Sequence, residues 1–454
     1  MTQALWLETV LLADGWADRV RLVHAQGRIT AIEIGAEPQA GEQRVAMGVP
    51  GLANIHSHAF QRGMAGLAEA RGRPDDDFWS WREVMYRFLD HLDPDDVEAI
   101  AAQAFAEMLE GGFTRVGEFH YLHHDPAGRP YAQLGELSER IVAAADQTGI
   151  GLTLLPVFYA HATFGGAPPR PGQRRFINDA DAFARLVEEG RAACARLPDA
   201  VVGVAPHSLR AVTPDELIRV VALAPDGPIH IHAAEQTLEV SDCVAWSGQR
   251  PVAWLLDHAG VDRRWCLIHA THLDEAETDG FAASGAVAGL CPVTEANLGD
   301  GIFPAARYLE AGGAFAVGTD SNILIGAADE LRALEYGQRL SHRARNVLAA
   351  ADRVSVGGRL FDGALRGGAK ALGVDEVGLT VGAPLDLVSL AKDEPSLIGR
   401  RGDALLDGWI FAGRAGAVDA VWRWGRQVVA DGRHVDAAAI AARYRRTVEK
   451  VLAA

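Results

Sequence analysis

The chain has little cysteine, very little lysine and no long apolar run. Its four cysteines, Cys194, Cys243, Cys266 and Cys291, stand far apart and form no Cys-x-x-Cys pair. That spacing argues against a disulfide framework and a thiolate zinc site, and it suits a reducing cytoplasm. No apolar stretch reaches the roughly eighteen residues of a membrane span. Met1 to Asp14 lacks the basic segment and long apolar core of a secretory signal, so none is expected. Positive charge is also short, leaving a formal net charge of −17 at pH 7. Nucleic acid and membrane surfaces attract basic patches, so neither is expected as a partner. An anionic small molecule stays open, because a pocket can carry its own arginines. Lysine is confined to Lys370, Lys392 and Lys450. None ends a strand proposed below, which excludes a two-metal centre bridged by a modified lysine.

The length of 454 residues suits a barrel plus a small accessory domain, and 49% hydrophobic residues suit a globular enzyme. The organising stretch is His56-Ser57-His58, which ends the apolar run Val49-Pro50-Gly51-Leu52-Ala53-Asn54-Ile55. Histidines at i and i+2 on a strand project from one face, side by side. Alone, such a pair is a weak sign of metal; further polar residues ending other apolar runs strengthen it. Strands alternate with helical stretches through residues 49–375, the pattern of a (β/α)8 TIM-type barrel. Eight strands are expected to end near His58, Phe119, Phe158, His207, His232, His269, Pro292 and Asp320. In such barrels the chemistry sits at the C-terminal strand ends. Residues 1–48 and 376–454 read as short strands, with a terminal helix from Ala437 to Val451. Together the two ends predict one small β-sandwich accessory domain. Two long connections, 60–95 and 160–177, have the length of binding loops, although the second reads equally well as a bare surface excursion.

His56, His58, His232 and Asp320 make a donor set of three imidazoles and a carboxylate, suited to one divalent ion, zinc or another transition metal. His230 shares a strand face with His232 but lies deeper, and reads as a packed structural histidine. Glu235 and His269 read as proton-transfer groups beside the metal. Their bland alternatives are a solvated loop carboxylate and a core histidine. His272, the rival to His269, should already lie in a loop.

This arrangement resembles the amidohydrolase superfamily, in which His-x-His follows strand one and His, His and Asp end strands five, six and eight. Three local sequences go further: Phe78-Trp79-Ser80-Trp81-Arg82-Glu83-Val84-Met85-Tyr86, Gly117-Glu118-Phe119-His120-Tyr121-Leu122-His123-His124, and Cys291 to Gly301. They look like the N-formimidoyl-L-glutamate deiminase family of bacterial histidine degradation, within the mononuclear deaminase branch. The resemblance implies hydrolysis of a formimidoyl C=N group, yielding ammonia and N-formyl-L-glutamate. It implies one divalent metal ion, zinc first among the candidates, and a homodimer. It also implies that His269 and Asp320 accept or steer the water proton and that Glu235 protonates the departing nitrogen. A glutamyl substrate carries two carboxylates, for which Arg82 and Arg210 are the cations. The resemblance implies that Gln61, Tyr121 and His207 join them in holding the substrate. The rival is a deaminase of a purine or pyrimidine base, whose stacking surfaces would be Trp79, Trp81 and Phe119. A scaffold that had lost catalysis would be expected to lack Glu235 or His269, and both are present.

Overall fold

A computed structural model describes residues 2–70, 78–414 and 416–453; the side chains of Phe78 and Trp79 also lie outside the described residues. Parallel strands alternate with helices through the middle of the chain and close on themselves. Leu52–Ser57 pairs with Phe113–His120, which pairs with Gly151–Phe158. Two short pieces, Val201–Val202 and Ala205–Pro206, hold the fourth position against that third strand. Ile229–Ala233, Trp265–His269, Val287–Leu290 and Ala314–Val317 follow in sequence order. Single parallel bridges complete the ring, from Val204 to Ile229, Ser208 to His232 and Ser57 to Asp320. At the last seam the amide of His58 donates to the Asp320 carbonyl at 3.0 Å, and that of Asp320 to the His56 carbonyl at 2.9 Å.

This is the barrel that the alternation predicts, with its strands ending where the polar residues concentrate. The fourth strand differs in form: expected to be continuous from Val201 to His207, it is broken in the middle. The break falls at Gly203 and Val204, where the Val204 amide turns to the Pro228 carbonyl at 3.1 Å.

The two chain ends build a second sheet of eight strands. Gln43–Pro50 and Leu387–Leu390 pair antiparallel inside it, and there the N-terminal and C-terminal parts meet. Hydrogen bonding runs through all eight strands, so the expected sandwich takes the form of one continuous sheet. It has its own core, including Leu5, Leu7, Val20, Leu22, Leu387 and Trp422. The apolar run before His56 is divided between the sheets: Pro50 ends an accessory strand and Leu52 opens the barrel. Arg423 ties the sheet to the barrel, donating to the Thr114 carbonyl at 3.0 Å and pairing with Asp386 and Asp199. The terminal helix spans Ala437–Leu452.

Neither long connection is a simple loop. The first contains the helix Phe78–Leu89, and the second a single 3-10 turn at Pro171–Gln173. Helix starts follow their caps: Asp93 and Asp96 satisfy each other's backbone amides before Pro94–Glu110, as Thr213 and Glu216 do before Pro214–Val221.

The helix Val356–Ala371 lies so close to the last barrel strand that only glycine fits at 367. A Cβ there would stand 1.9 Å from the Phe315 carbonyl oxygen. Gly367→Ala should therefore destabilise the fold by about 1–3 kcal/mol through overpacking. Urea unfolding would register this as a lower midpoint at an unchanged slope.

Candidate active site

Four strand ends converge on one point. His56 lies on the first barrel strand and His58 just beyond it, with ring centroids 4.6 Å apart. His232, on the fifth strand, brings its Nε2 to 3.1 Å from Nε2 of His56. Asp320 follows the eighth strand, its Oδ1 3.5 Å from His56 Nε2 and 3.2 Å from His58 Nε2. His269 closes the sixth strand, with Nε2 3.8 Å from both Asp320 and Glu235. His269 and Asp320 have φ of 65° and 45°, a left-handed backbone that is uncommon for residues with side chains. Strain of this kind clusters at functional sites.

The hydrogen bonds settle which nitrogens face inward. His58 Nδ1 lies 2.9 Å from the Phe119 carbonyl, and His232 Nδ1 lies 3.0 Å from the His207 carbonyl. A carbonyl only accepts, so each Nδ1 carries the proton and each Nε2 turns a lone pair toward the common point. Burial keeps these rings neutral: the pKa of His56 falls to about 3, and those of His58 and His232 are lowered too. Burial alone would raise the Asp320 carboxyl, but His56, His58 and His269 outweigh it and hold it ionised. Imidazole lone pairs facing a carboxylate and each other need a cation between them. The donor set therefore fits a divalent ion. His56, His58 and Asp320 bring their donor atoms within 4.8 Å of one another, as do His56, His232 and His269.

Two further groups border this point. Burial pushes the Glu235 carboxyl up, against the pull of His269 and Arg210. For His269, burial would lower the pKa, but the carboxylates of Glu235, Glu295 and Asp320 raise it to about 10. His230 is turned away, with Nε2 2.7 Å from the Ala371 carbonyl. His272 lies past the strand end, its amide donating to the Ala234 carbonyl.

A pocket opens over the cluster. Gln61, Arg82, Tyr121, His207 and Arg210 all line it, and Trp81, Met85 and Leu298 add apolar wall. Arg82 donates to the Tyr159 hydroxyl at 2.6 Å, and Arg210 lies 3.8 Å from Glu235 and 3.9 Å from Glu239. Gln61 donates to the Tyr121 hydroxyl at 2.9 Å. Of the stacking surfaces expected for a base, Phe119 is fully buried against the rings of His56, His58 and His232. Trp81 alone lines the pocket, and the Trp79 side chain is outside the described residues.

Sequence reasoning passed over Glu295, whose Oε1 lies 3.3 Å from His269 Nδ1 and accepts the Cys291 amide at 2.8 Å. It also passed over Glu118, which accepts the Ala59 amide at 2.8 Å and secures the turn after His58. Both stand in stretches that carry the family resemblance, which was the one signal available for them.

Residues 47–428 match the Amidohydrolase family. The chain belongs to the amidohydrolase family. Residues 2–46 of this amidohydrolase match the domain described as Formimidoylglutamate deiminase HutF, N-terminal domain. Among curated relatives, it is 51% identical to the formimidoylglutamate deiminase of Pseudomonas aeruginosa, with 95% of each chain covered. It is 30% identical to the 5-methylthioadenosine/S-adenosylhomocysteine deaminase of Natronomonas pharaonis, over 86% of this chain and 82% of that one. A crystal structure of an amidohydrolase from Brucella melitensis superimposes with a TM-score of 0.96 at 56% identity, covering 99% of this chain and 100% of the other. A zinc-bound adenosine deaminase from Xanthomonas campestris shares the fold at 24% identity and a TM-score of 0.81, covering 100% and 99%.

Proposed function

We propose that this amidohydrolase hydrolyses N-formimidoyl-L-glutamate to N-formyl-L-glutamate and ammonia, a step of histidine degradation. One observation carries the reading: two guanidinium groups, Arg82 and Arg210, line the same pocket as the imidazole and carboxylate cluster. A substrate with two carboxylates needs such charge-assisted donors when it is buried, whereas a neutral base does not. The 51% identity to a formimidoylglutamate deiminase supports the same substrate.

His56, His58, His232 and Asp320 would hold the metal, for which zinc is proposed because a neighbour of the same fold binds it. When bound, a divalent ion supplies Lewis acidity and lowers the pKa of water toward neutrality. Arg82 and Arg210 grip the carboxylates, and Gln61, Tyr121 and His207 fix the rest of the substrate. Asp320, ionised beside His269, steers and accepts the proton of the attacking water. Glu235, whose carboxyl burial raises, passes the proton to the terminal nitrogen. Water oxygen adds to the formimidoyl carbon; both of its protons, one taken up at Asp320 and one released from the new hydroxyl as it becomes the formyl C=O, end on the terminal nitrogen by way of Glu235, the C–N bond breaks, and ammonia leaves. A homodimer acting in the cytoplasm belongs to the same proposal; the four buried free cysteines suit a reducing compartment.

The test is to incubate metal-loaded protein with N-formimidoyl-L-glutamate and measure both products. Ammonia and N-formyl-L-glutamate should appear in equal amounts. Glutamate with formamide would mean that the wrong bond is cut, and turnover of nucleosides alone would favour the base-deaminase reading. Arg210→Met should raise KM by about a hundredfold, the loss of a buried charge-assisted pair, and leave metal content unchanged. Parallel loss of metal would contradict the assignment of Arg210 to the substrate.

A further inference from the structure

The second long connection is built onto the pocket from behind. The Tyr159 hydroxyl receives Arg82 Nη2 at 2.6 Å and Gln173 Nε2 at 2.8 Å. Gln173 cannot be turned round, because its Oε1 accepts the Arg170 amide at 2.7 Å. The hydroxyl oxygen therefore takes two donors, one from each long connection. Arg175, two residues on, is buried and holds the end of the helix that bears Arg82. It donates to the carbonyls of Leu89, Leu92 and His124. Leu89 is the last residue of that helix and Leu92 follows it, so one guanidinium joins the helix end to the His124 backbone. Phe176 packs its ring 4.9 Å from Tyr121 and 5.7 Å from Tyr159. Gly172 permits the close fit: a Cβ there would lie 2.8 Å from the Tyr86 ring.

We propose that Gln173, acting through the Tyr159 hydroxyl, is a positioning residue for Arg82, so that the segment Pro171–Phe176 sets how tightly a carboxylated substrate is held. Arginine has many rotamers, and a guanidinium held in place before binding loses less freedom when a carboxylate arrives. The bland alternative is a loop that contributes stability alone. It predicts a lower melting temperature with no selective change in KM. The inference rests on the reading that Arg82 grips a substrate carboxylate, and the variants below separate the two.

The experiment is steady-state kinetics on metal-loaded protein with N-formimidoyl-L-glutamate. It compares Gln173→Leu, Tyr159→Phe, Arg82→Met and the double variant Gln173→Leu/Arg82→Met. Gln173→Leu and Tyr159→Phe should each raise KM by about three- to tenfold, the worth of one hydrogen bond, with kcat nearly unchanged. In the Arg82→Met background Gln173→Leu should add no further rise, because the guanidinium that it positions through Tyr159 is gone. A wild-type KM in Gln173→Leu beside an impaired Arg82→Met would overturn the brace alone. So would equal effects of Gln173→Leu with and without Arg82. A wild-type KM in Arg82→Met would overturn the brace together with the substrate role of Arg82.

Discussion

Glu235→Gln should lower kcat by about 10² to 10⁴, the usual range for removing a positioned acid or base. The amide keeps the size and shape of the side chain but has no proton to exchange with the departing nitrogen. Glu235 is buried, lies 3.8 Å from both His269 and Arg210, and has its carboxyl pushed toward the protonated form. An acid of that kind serves ammonia departure, since an unprotonated amide anion is a poor leaving group. Bound metal should stay at the wild-type level, because the proposed ligand set does not include Glu235. KM should move little beside kcat, which identifies an interaction made in the transition state. Turnover within a few-fold of wild type would remove Glu235 from the proton pathway.

Asp320→Asn should be still more damaging. Among the described residues Asp320 is the one carboxylate that reaches two of the convergent imidazoles, at 3.5 and 3.2 Å, and it faces His269 as well. The amide would remove the negative charge that balances a cation at the point where the lone pairs meet. A carboxylate-to-amide change that preserves geometry at a catalytic centre can cost about 10⁴ in turnover. Here metal affinity should fall too, so the melting temperature should no longer rise when metal is added to stripped protein. The measurements are metal content after dialysis, the melting shift on metal addition, and ammonia release. Full metal content with near-normal turnover would mean that the cluster is assembled by other residues.

The two variants fail differently: the first keeps the metal and loses turnover, the second loses both. That contrast separates proton transfer from metal holding without any need to see the ion.

The elements that reasoning from the residues found were those set by local physics. Period-two alternation places His56 and His58 on one face, and they do lie side by side. The same alternation gave His230 and His232 a common face, so facing alone could not choose between them. Depth chose: two residues along a strand is about 6.6 Å, enough to put His232 at the rim and His230 against the Ala371 carbonyl. Short apolar runs ended by polar residues located the barrel strands. The fourth was located by the same signal but comes in two short pieces.

Other features needed the folded chain. The run Val49 to Ile55, apolar apart from Asn54, reads as one approach to the first barrel strand, whereas the accessory sheet stops at Pro50 and the barrel starts at Leu52. Glu295 meets His269 across 26 positions of sequence, and a carboxylate in a short helix has no local mark of such a partner. The first long connection showed its motif and Arg82 in the sequence, but nothing there related it to the second. That they meet at the Tyr159 hydroxyl depends on contacts between Arg82 and Gln173, which lie on separate loops.

The sequence by itself determined the barrel, the sharing of one accessory sheet by both ends, and the residue types at the strand ends, because periodicity and strand boundaries are local properties. The tertiary structure alone decided which lone pairs face the common point, which carboxylates raise the pKa of His269, and how Arg82 is held. Those are distances and orientations between residues far apart in the chain, and only closure of the barrel brings them within a few ångströms.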